Sequence, residues 1–411
     1  MAGHPHKPRP PRTAAATAAA LVLLAGCAVA GPPADPAVEE IRRTLDARAA
    51  ALLGHDRAAY LASLEPGAAA LREAQGEEFD NLADVPLGSW EYLVKDVRHH
   101  GATAVADAEV RYRIAGYDTA PMTVSRTLEL AERDGRWYVT ADRAGTGTGT
   151  PRQQLWQQGD VDVARGSHSI VLGVGQDQER LRDLAAAADR AVPAVSDAWP
   201  SKWAGRVVVL VPASVEGMGG LLGAPAAGYR GIAAVTTGET NREVESPADR
   251  VVVNPEAYAL LGDFGQGVVL THEATHVATR AHTSAVTPMW LSEGFADWVA
   301  YRGTGRTAAE AAPEMQEAVR AGDVPAGLPD DRDFSFDGDA GALARAYEGG
   351  RLACAMIAER WGEEKLTAFY RTVGEGQYRD GAVERALSEE LGTTAAELTA
   401  MWRDYLTGVL D

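Results

Sequence analysis

Residues 268–278 read Val268-Val269-Leu270-Thr271-His272-Glu273-Ala274-Thr275-His276-Val277-Ala278. The apolar residues in and around this stretch predict a buried helix over residues 264–279. Residues four apart lie on one face of a helix, so His272 and His276 can bind a single metal ion. Glu273 lies beside them, where its carboxylate can take a proton from water on that ion. The spacing is typical of a hydrolytic zinc site.

A second stretch reads Pro288-Met289-Trp290-Leu291-Ser292-Glu293-Gly294-Phe295-Ala296-Asp297. Catalytic zinc usually has three protein ligands, commonly histidines and a carboxylate, with one position open for water. Glu293 lies on a second predicted helix and can supply the carboxylate. Asp297 lies four residues further along, where it can accept the remaining N–H of a ligand histidine. The two stretches therefore predict a Zn²⁺ site formed by His272, His276 and Glu293.

His282 is a second candidate for the third ligand. It lies six residues after His276, where metzincin peptidases place their third histidine. Metzincins have Gly at the position of Thr279, because the chain turns there with backbone angles that a β-branched residue disfavours. The pattern favours Glu293, with His282 as a solvated loop residue.

Both stretches together resemble the gluzincin metallopeptidases, in which HExxH on one helix is completed by Glu from the next. Residues 290–296 are similar to the glutamate motif of the aminopeptidase branch and of the bacterial peptidase MA-like proteins. The resemblance implies that the two histidines and Glu293 bind zinc and that Glu273 is the general base. Asp297 matches an acid that supports the site in some gluzincins. Tyr347 lies in a segment similar to the Tyr-bearing helix of MA-like peptidases, which implies a role in oxyanion stabilisation.

The resemblance also bears on the substrate. The chain has no Gly-x-Met-Glu-Asn stretch upstream of the histidines, the element that holds the free amine of a substrate in the aminopeptidases. We therefore expect an endopeptidase that acts on peptides or proteins. Residues 231–237 correspond to the strand that borders the gluzincin cleft and pairs with extended substrate. The alternative is an ordinary sheet strand.

The first residues predict export. Residues 1–12 are basic, residues 14–25 are small and apolar, and Leu24-Ala25-Gly26-Cys27 looks like a bacterial lipobox. We expect residues 1–26 to be an export signal, Cys27 to carry lipid, and residues 27–36 to form a tether. This predicts anchoring to the outer face of the cell membrane. Secretion after cleavage behind Ala30 is the alternative.

Net charge and cysteine content indicate which partners and which cross-links to expect. The 411 residues carry a formal net charge of -19, which argues against binding of nucleic acid. The chain has two cysteines, and lipid on Cys27 would leave Cys354 without a partner, so no intramolecular disulfide is expected. A chain of this length can bury a sufficient core without one.

Residues 37–143 predict a separate α+β domain. A helix over residues 37–64 precedes an alternating strand over residues 104–114 and a hairpin across Asp134-Gly135. This order is similar to the cone-shaped nuclear-transport-factor or SnoaL-like folds. Residues 144–160, which include a Gly-Thr repeat, are expected to be a linker.

Residues 161–411 predict the gluzincin-like domain, with a small sheet, the active-site helices and a helical lobe that begins near residue 307. Gly349 and Gly350 fall inside one predicted helix and indicate close approach of a neighbour. The predicted fold class is therefore α+β. Two alternatives to the peptidase remain: hydrolysis of another amide or ester, and a silent surface lipoprotein with a structural metal site and a ligand-binding N-terminal domain.

Overall fold

The fold is taken from a computed structural model that describes residues 35–145, 152–238, 246–336 and 338–411. The chain combines helices with two β-sheets, which confirms the predicted mixture of helix and sheet. The proposed domain boundaries stay a prediction. The predicted export signal, Cys27 and most of the tether lie outside the described residues. Within those residues no helix has the length and apolar character needed to span a membrane.

The N-terminal region, residues 35–145, packs helices against a four-stranded antiparallel sheet of order β1-β2-β3-β4. Its elements are α1 (Pro36–Leu53), α2 (Arg57–Ala62), α3 (Ala69–Asn81), β1 (Leu87–His100), β2 (Thr103–Ile114), β3 (Met122–Arg133) and β4 (Arg136–Ala144). The hairpin across Asp134-Gly135 is confirmed, with φ of 52° and 77° at its two central residues. The single helix over residues 37–64 is wrong. The chain leaves α1 at Gly54, and His55, at a φ of 53°, cannot continue a right-handed helix.

The second sheet has five strands in the order β5-β6-β7-β9-β8. They are β5 (Val161–Arg165), β6 (Ser169–Val174), β7 (Val207–Val211), β8 (Ala234–Thr237) and β9 (Arg250–Val253). The three central strands are parallel to one another, and the two edge strands are antiparallel to their neighbours. Helix α4 (Gln178–Ala198) packs on this sheet, and α5 (Val215–Leu222) follows β7.

The rest of the described chain is helical. The helices are α6 (Pro255–Ala259), α7 (Asp263–Thr279), α8 (Met289–Tyr301), α9 (Pro313–Arg320), α10 (Ala340–Trp361), α11 (Glu363–Gly374), α12 (Ala382–Ala386) and α13 (Ala395–Leu410). Helix α9 begins later than the predicted residue 307. Pro313, which lacks an N–H and has a fixed φ, is the first residue of α9 and suits that position.

The predicted close approach at the paired glycines is confirmed. A Cβ on Gly350 of α10 would lie 2.7 Å from the carbonyl oxygen of Trp290 and 3.3 Å from the Cα of Gly294, both on α8. A Cβ on Gly294 would lie 2.3 Å from the carbonyl carbon of Gly350. The two backbones therefore touch with no side chain between them, which brings α8 and α10 together beside α7.

The N-terminal region shares a hydrophobic core with one face of the five-stranded sheet. This common core includes Ile170, Leu172, Val208 and Val252 from the sheet, together with the buried residues of α1 and β2. The opposite face of the sheet packs against α4 and α7. The sheet is thus covered on both faces, one of them by the N-terminal region.

The end of the predicted linker belongs to this shared core. Leu155 and Trp156 are buried, and the Trp156 ring lies 5.0 Å from Tyr112 and 5.9 Å from Trp90, measured between ring centroids. Asn81 donates a hydrogen bond of 2.8 Å to the carbonyl of Trp156. Residues 152–160 are therefore packed rather than extended as a free linker, because their aromatic and aliphatic side chains have a core to enter.

Candidate metal centre

Helices α7 and α8 bring the three predicted ligands together. The Nε2 atoms of His272 and His276 are 3.0 Å apart. Oε2 of Glu293 lies 3.2 Å from Nε2 of His272 and 3.4 Å from Nε2 of His276. Each residue thus presents one ligand atom to a common centre, and these three side chains are the group in the described part of the chain that could hold a metal ion.

The triangle of ligand atoms fits zinc. Zinc bonds to His nitrogen or carboxylate oxygen are about 2.0–2.1 Å long and tetrahedral, which places neighbouring ligand atoms about 3.3 Å apart. The observed separations of 3.0 to 3.4 Å are close to this value. Two imidazoles and one carboxylate leave a fourth position of the tetrahedron open, as in catalytic rather than structural zinc sites.

Asp297 fixes the orientation of one ligand. Its Oδ1 lies 2.7 Å from Nδ1 of His272, one helical turn after Glu293 on α8. With Nδ1–H donating to this carboxylate, Nε2 of His272 is left as the free electron-pair donor that a metal needs. The structure therefore places the carboxylate of Asp297 beside the ring of His272.

The charges at the centre favour a cation. Burial opposes a positive charge on His272, but the carboxylates of Asp297 and Glu293 outweigh it and raise the pKa of His272 well above its ordinary value. Burial likewise opposes ionisation of Glu293, yet the imidazoles of His276 and His272 outweigh it and lower the pKa of Glu293. A buried centre of this kind stabilises positive charge between its three side chains.

Glu273 projects towards strand β8. Its side chain is largely buried, and its Oε2 accepts a hydrogen bond of 2.6 Å from Oγ1 of Thr236. The same hydroxyl lies 3.1 Å from the carbonyl oxygen of Glu273. Sequence reasoning missed Thr236, because it precedes Glu273 by 37 residues and no local pattern marks the contact.

The metal centre opens into a cleft of about 350 Å³. Strand β8 and the residues before it form one wall, which agrees with the cleft-border position predicted for residues 231–237. Residues 234–237 of this stretch are a strand, and β8 is an edge of the sheet whose second side pairs with no other strand of the described residues. The other walls come from α7, α8, α10 and the segment before α10, and include Met289, Phe336 and Tyr347.

Tyr347 lies beside the centre. Its ring centroid is 6.4 Å from that of His272, and its opposite edge packs on Phe334. Burial, reinforced by the charges of Glu293 and Asp297, raises the pKa of Tyr347, so its hydroxyl keeps its proton at neutral pH. It can therefore act as a hydrogen-bond donor to a group bound in the cleft.

His282 does not belong to the cluster of metal ligands. Its ring lies edge-on to Trp199, with 5.6 Å between ring centroids, in a short helical turn after α7. It is half-buried rather than the solvated loop residue expected from the sequence. Burial, with a contribution from Arg371, lowers its pKa.

A second, much smaller cavity lies between the N-terminal sheet and Trp156. Its volume is about 20 Å³, which is room for about one water molecule. Trp156 fills the space beside Trp90 and Tyr112 that would otherwise extend it. The packing at this place leaves no room for a sizeable ligand between Trp156 and the sheet.

No family model matches the chain, and no curated protein matches it. Solved structures that are similar to it include an M1 zinc metallopeptidase from Deinococcus radiodurans, at 12% identity and a TM-score of 0.34; the match covers 79% of this chain and 61% of that protein. A two-domain M1 zinc metallopeptidase mutant bound to L-arginine has 14% identity and a TM-score of 0.34, over 68% of this chain and 59% of that protein.

A protein of unknown function from Mycobacterium tuberculosis is also similar, at 15% identity and a TM-score of 0.22, over 26% of this chain and 70% of that one. The chain therefore spans about 60% of the length of the two metallopeptidases it matches. TM-scores of this size do not establish a common fold.

Proposed function

We propose that this chain is a zinc-dependent peptidase, an endopeptidase of the HExxH type. The observation that carries the proposal is the triangle of ligand atoms from His272, His276 and Glu293, with sides of 3.0 to 3.4 Å, at the floor of an open cleft. Glu273 is the residue next to His272 on the same helix, and a structural site has no need of such a base. The three candidate ligands together with Glu273 therefore support a hydrolytic site rather than a purely structural one.

Each residue of the site has a separate role in peptide hydrolysis. Zinc, when bound, supplies Lewis-acid chemistry that acidifies water and polarises a carbonyl. Glu273 takes a proton from the attacking water and returns it to the leaving amine. Tyr347 donates its hydroxyl hydrogen to the oxygen on which negative charge develops. Asp297 holds His272 in the tautomer that binds metal.

The lining of the cleft supports internal cleavage. Among its described residues the carboxylates are Glu273, Glu293 and Asp297, and each has a role at the metal centre. None of them is left to hold the free amine of a substrate. The unpaired side of β8 offers backbone N–H and C=O groups to an extended peptide, a mode of binding that does not require a chain terminus.

The test compares three proteins. The wild type should bind about one zinc per chain and cleave members of a mixed peptide library. Glu273→Gln should keep zinc and lose cleavage, whereas His276→Ala should lose zinc. Full cleavage by Glu273→Gln would refute the assigned base. Zinc without any cleavage by the wild type would point to hydrolysis of another amide or ester, or to a silent metal-binding lipoprotein.

We further propose export and lipid attachment at Cys27, on the lipobox-like Leu24-Ala25-Gly26-Cys27. Cells that express the full chain with a labelled fatty acid should yield a labelled, membrane-associated protein. Cys27→Ser should abolish the label, while Cys354→Ser should keep it because that thiol is buried in the folded protein. Label on Cys27→Ser would place the lipid on another residue and refute Cys27 as its site, whereas unlabelled wild type in the medium would favour simple secretion.

A further inference from the structure

The hydroxyl of Thr236 holds the carboxylate of Glu273 from across the cleft. The 2.6 Å separation between Oγ1 of Thr236 and Oε2 of Glu273 lies within the range of charge-assisted hydrogen bonds between a hydroxyl and a carboxylate. Glu273 is 7% exposed, so little water competes for this oxygen. The orientation of the carboxylate therefore depends on where strand β8 lies relative to α7.

Among the described residues, strand β8 forms an edge of the sheet and pairs with β9, with Thr236 opposite Val251 and Thr237 opposite Arg250. A displacement of β9 would carry β8 with it. The position of Thr236 is thus set by whatever fixes β9.

A buried ion pair with the N-terminal region fixes the first residue of β9. The guanidinium of Arg250 donates two hydrogen bonds to the carboxylate of Asp118, at 2.9 and 2.8 Å. The side chain of Arg250 is 6% exposed and that of Asp118 is fully buried. Asp118 also accepts from the backbone N–H groups of Ile114 and Ala248, at 2.7 and 2.9 Å. Such a two-pronged pair fixes direction as well as distance.

We propose that the N-terminal region positions the general base of the metal centre: Asp118 holds Arg250 and thereby the β8–β9 pair, and Thr236 on β8 holds the carboxylate of Glu273. The proposal rests on the peptidase function proposed above. Asp118, Arg250 and Thr236 are positioning residues, since each acts through Glu273 rather than on the substrate. The N-terminal region is on this reasoning a part of the enzyme and not a spacer.

The local step is tested at Thr236. Thr236→Val keeps the shape of the side chain and removes the hydroxyl, and kcat should fall about 10- to 100-fold with zinc content and KM unchanged. Thr236→Ser keeps the hydroxyl and should restore most of kcat. Thr127→Val is the matched control, because Thr127 makes a similar bond of 3.1 Å to the carboxylate of Asp107 within the N-terminal sheet. Wild-type kcat in Thr236→Val, or no rescue by Ser, would overturn this step.

The long-range step is tested at Asp118. Asp118→Asn should lower kcat and speed amide hydrogen exchange in residues 234–237, each about tenfold or more. Asp142→Asn is the control: it breaks another partly buried pair, Arg126 with Asp142 at 2.7 Å, inside the N-terminal region. It should lower the melting temperature without changing either quantity. If Asp118→Asn does not fold, Arg250→Lys keeps the charge but cannot reproduce the two parallel hydrogen bonds to Asp118 together with the bond to the carbonyl of Ala248.

The outcomes separate the two proposals. Unchanged kcat and unchanged exchange in Asp118→Asn or Arg250→Lys would overturn the role of the N-terminal region. A wild type that cleaves no peptide would refute the peptidase function instead. In that case amide exchange in residues 234–237 still decides whether Asp118 holds strand β8.

Discussion

The contact between α8 and α10 predicts the effect of a single methyl group. In Gly294→Ala the new Cβ would lie 2.3 Å from the carbonyl carbon of Gly350 and 2.4 Å from its oxygen. Non-bonded carbon atoms need about 3.5 Å or more, so the two backbones must move apart by about 1 Å. Neither partner atom is the end of a flexible side chain, and local rotation cannot relieve the overlap.

The energetic cost follows from two opposing effects. Overpacking of this kind costs about 1–3 kcal/mol, while replacing a helical Gly by Ala contributes about 1 kcal/mol in the other direction. We expect a net loss of up to about 2 kcal/mol in the free energy of unfolding. Glu293 is the adjacent residue on α8, so its carboxylate should leave the triangle formed with the two histidines. Zinc affinity should fall about 10- to 100-fold.

Two measurements check this prediction. Urea unfolding of the zinc-free protein gives the change in stability, and competition with a chromophoric chelator gives zinc affinity. Gly267→Ala on α7 is the matched control, since a Cβ there meets no atom within 4 Å. It should stabilise the protein by about 0.5–1 kcal/mol and leave zinc affinity unchanged. If Gly294→Ala unfolds and binds zinc like the wild type, the close helix contact does not set the position of Glu293.

Three other changes give further predictions. Asp297→Asn should weaken zinc binding about 10- to 100-fold in the same chelator competition. Unchanged zinc affinity would show that Asp297 does not hold His272 in the tautomer that binds metal. Burial, with the hydrogen bond to Glu314, raises the pKa of Glu348 from its ordinary value of 4.5 to about 8. Between these two pH values Glu348 is protonated in the folded state and ionised in the unfolded state. The stability of the wild type should therefore fall as pH rises through this range. The urea midpoint should drop less between pH 5 and pH 8 in Glu348→Gln than in the wild type, and equal drops would contradict the raised pKa of Glu348. Phe336 lines the cleft and is 56% exposed. Phe336→Ala should raise KM about tenfold for peptides with an apolar side chain beside the cleaved bond. A similar rise in KM for purely polar peptides would count against an apolar subsite at Phe336.

The elements that the sequence predicts well are those defined by short spacings. The four-residue step from His272 to His276 fixes a helical face, and the step from Glu293 to Asp297 fixes another. Paired glycines at 349 and 350 predict a close helix contact without naming the partner. Positive φ at Asp134-Gly135 follows from the turn that these residues favour.

The elements that the sequence does not reveal depend on distant partners. Asp118 and Arg250 are 132 residues apart, and Thr236 and Glu273 are 37 apart. An Asp in a turn or a Thr in a strand is common, so the local sequence around Asp118 or Thr236 does not indicate a special contact. The hydrogen-bond partner of each becomes apparent only in the folded structure. The sequence predicts a linker at Trp156 for the same reason: the Gly-Thr repeat before it is typical of linkers, whereas the burial of Trp156 depends on residues of β1 and β2.

The core that spans the N-terminal region and the five-stranded sheet has a consequence for how the protein unfolds. Separate domains melt independently, but two regions that bury the same side chains lose them together, so calorimetry should show one cooperative transition for the folded chain. A fragment that begins at residue 152 would present Ile170, Leu172, Val208 and Val252 to water. Such a surface invites aggregation and chaperone binding. In evolution, the N-terminal region could be replaced only by a partner that covers the same apolar face.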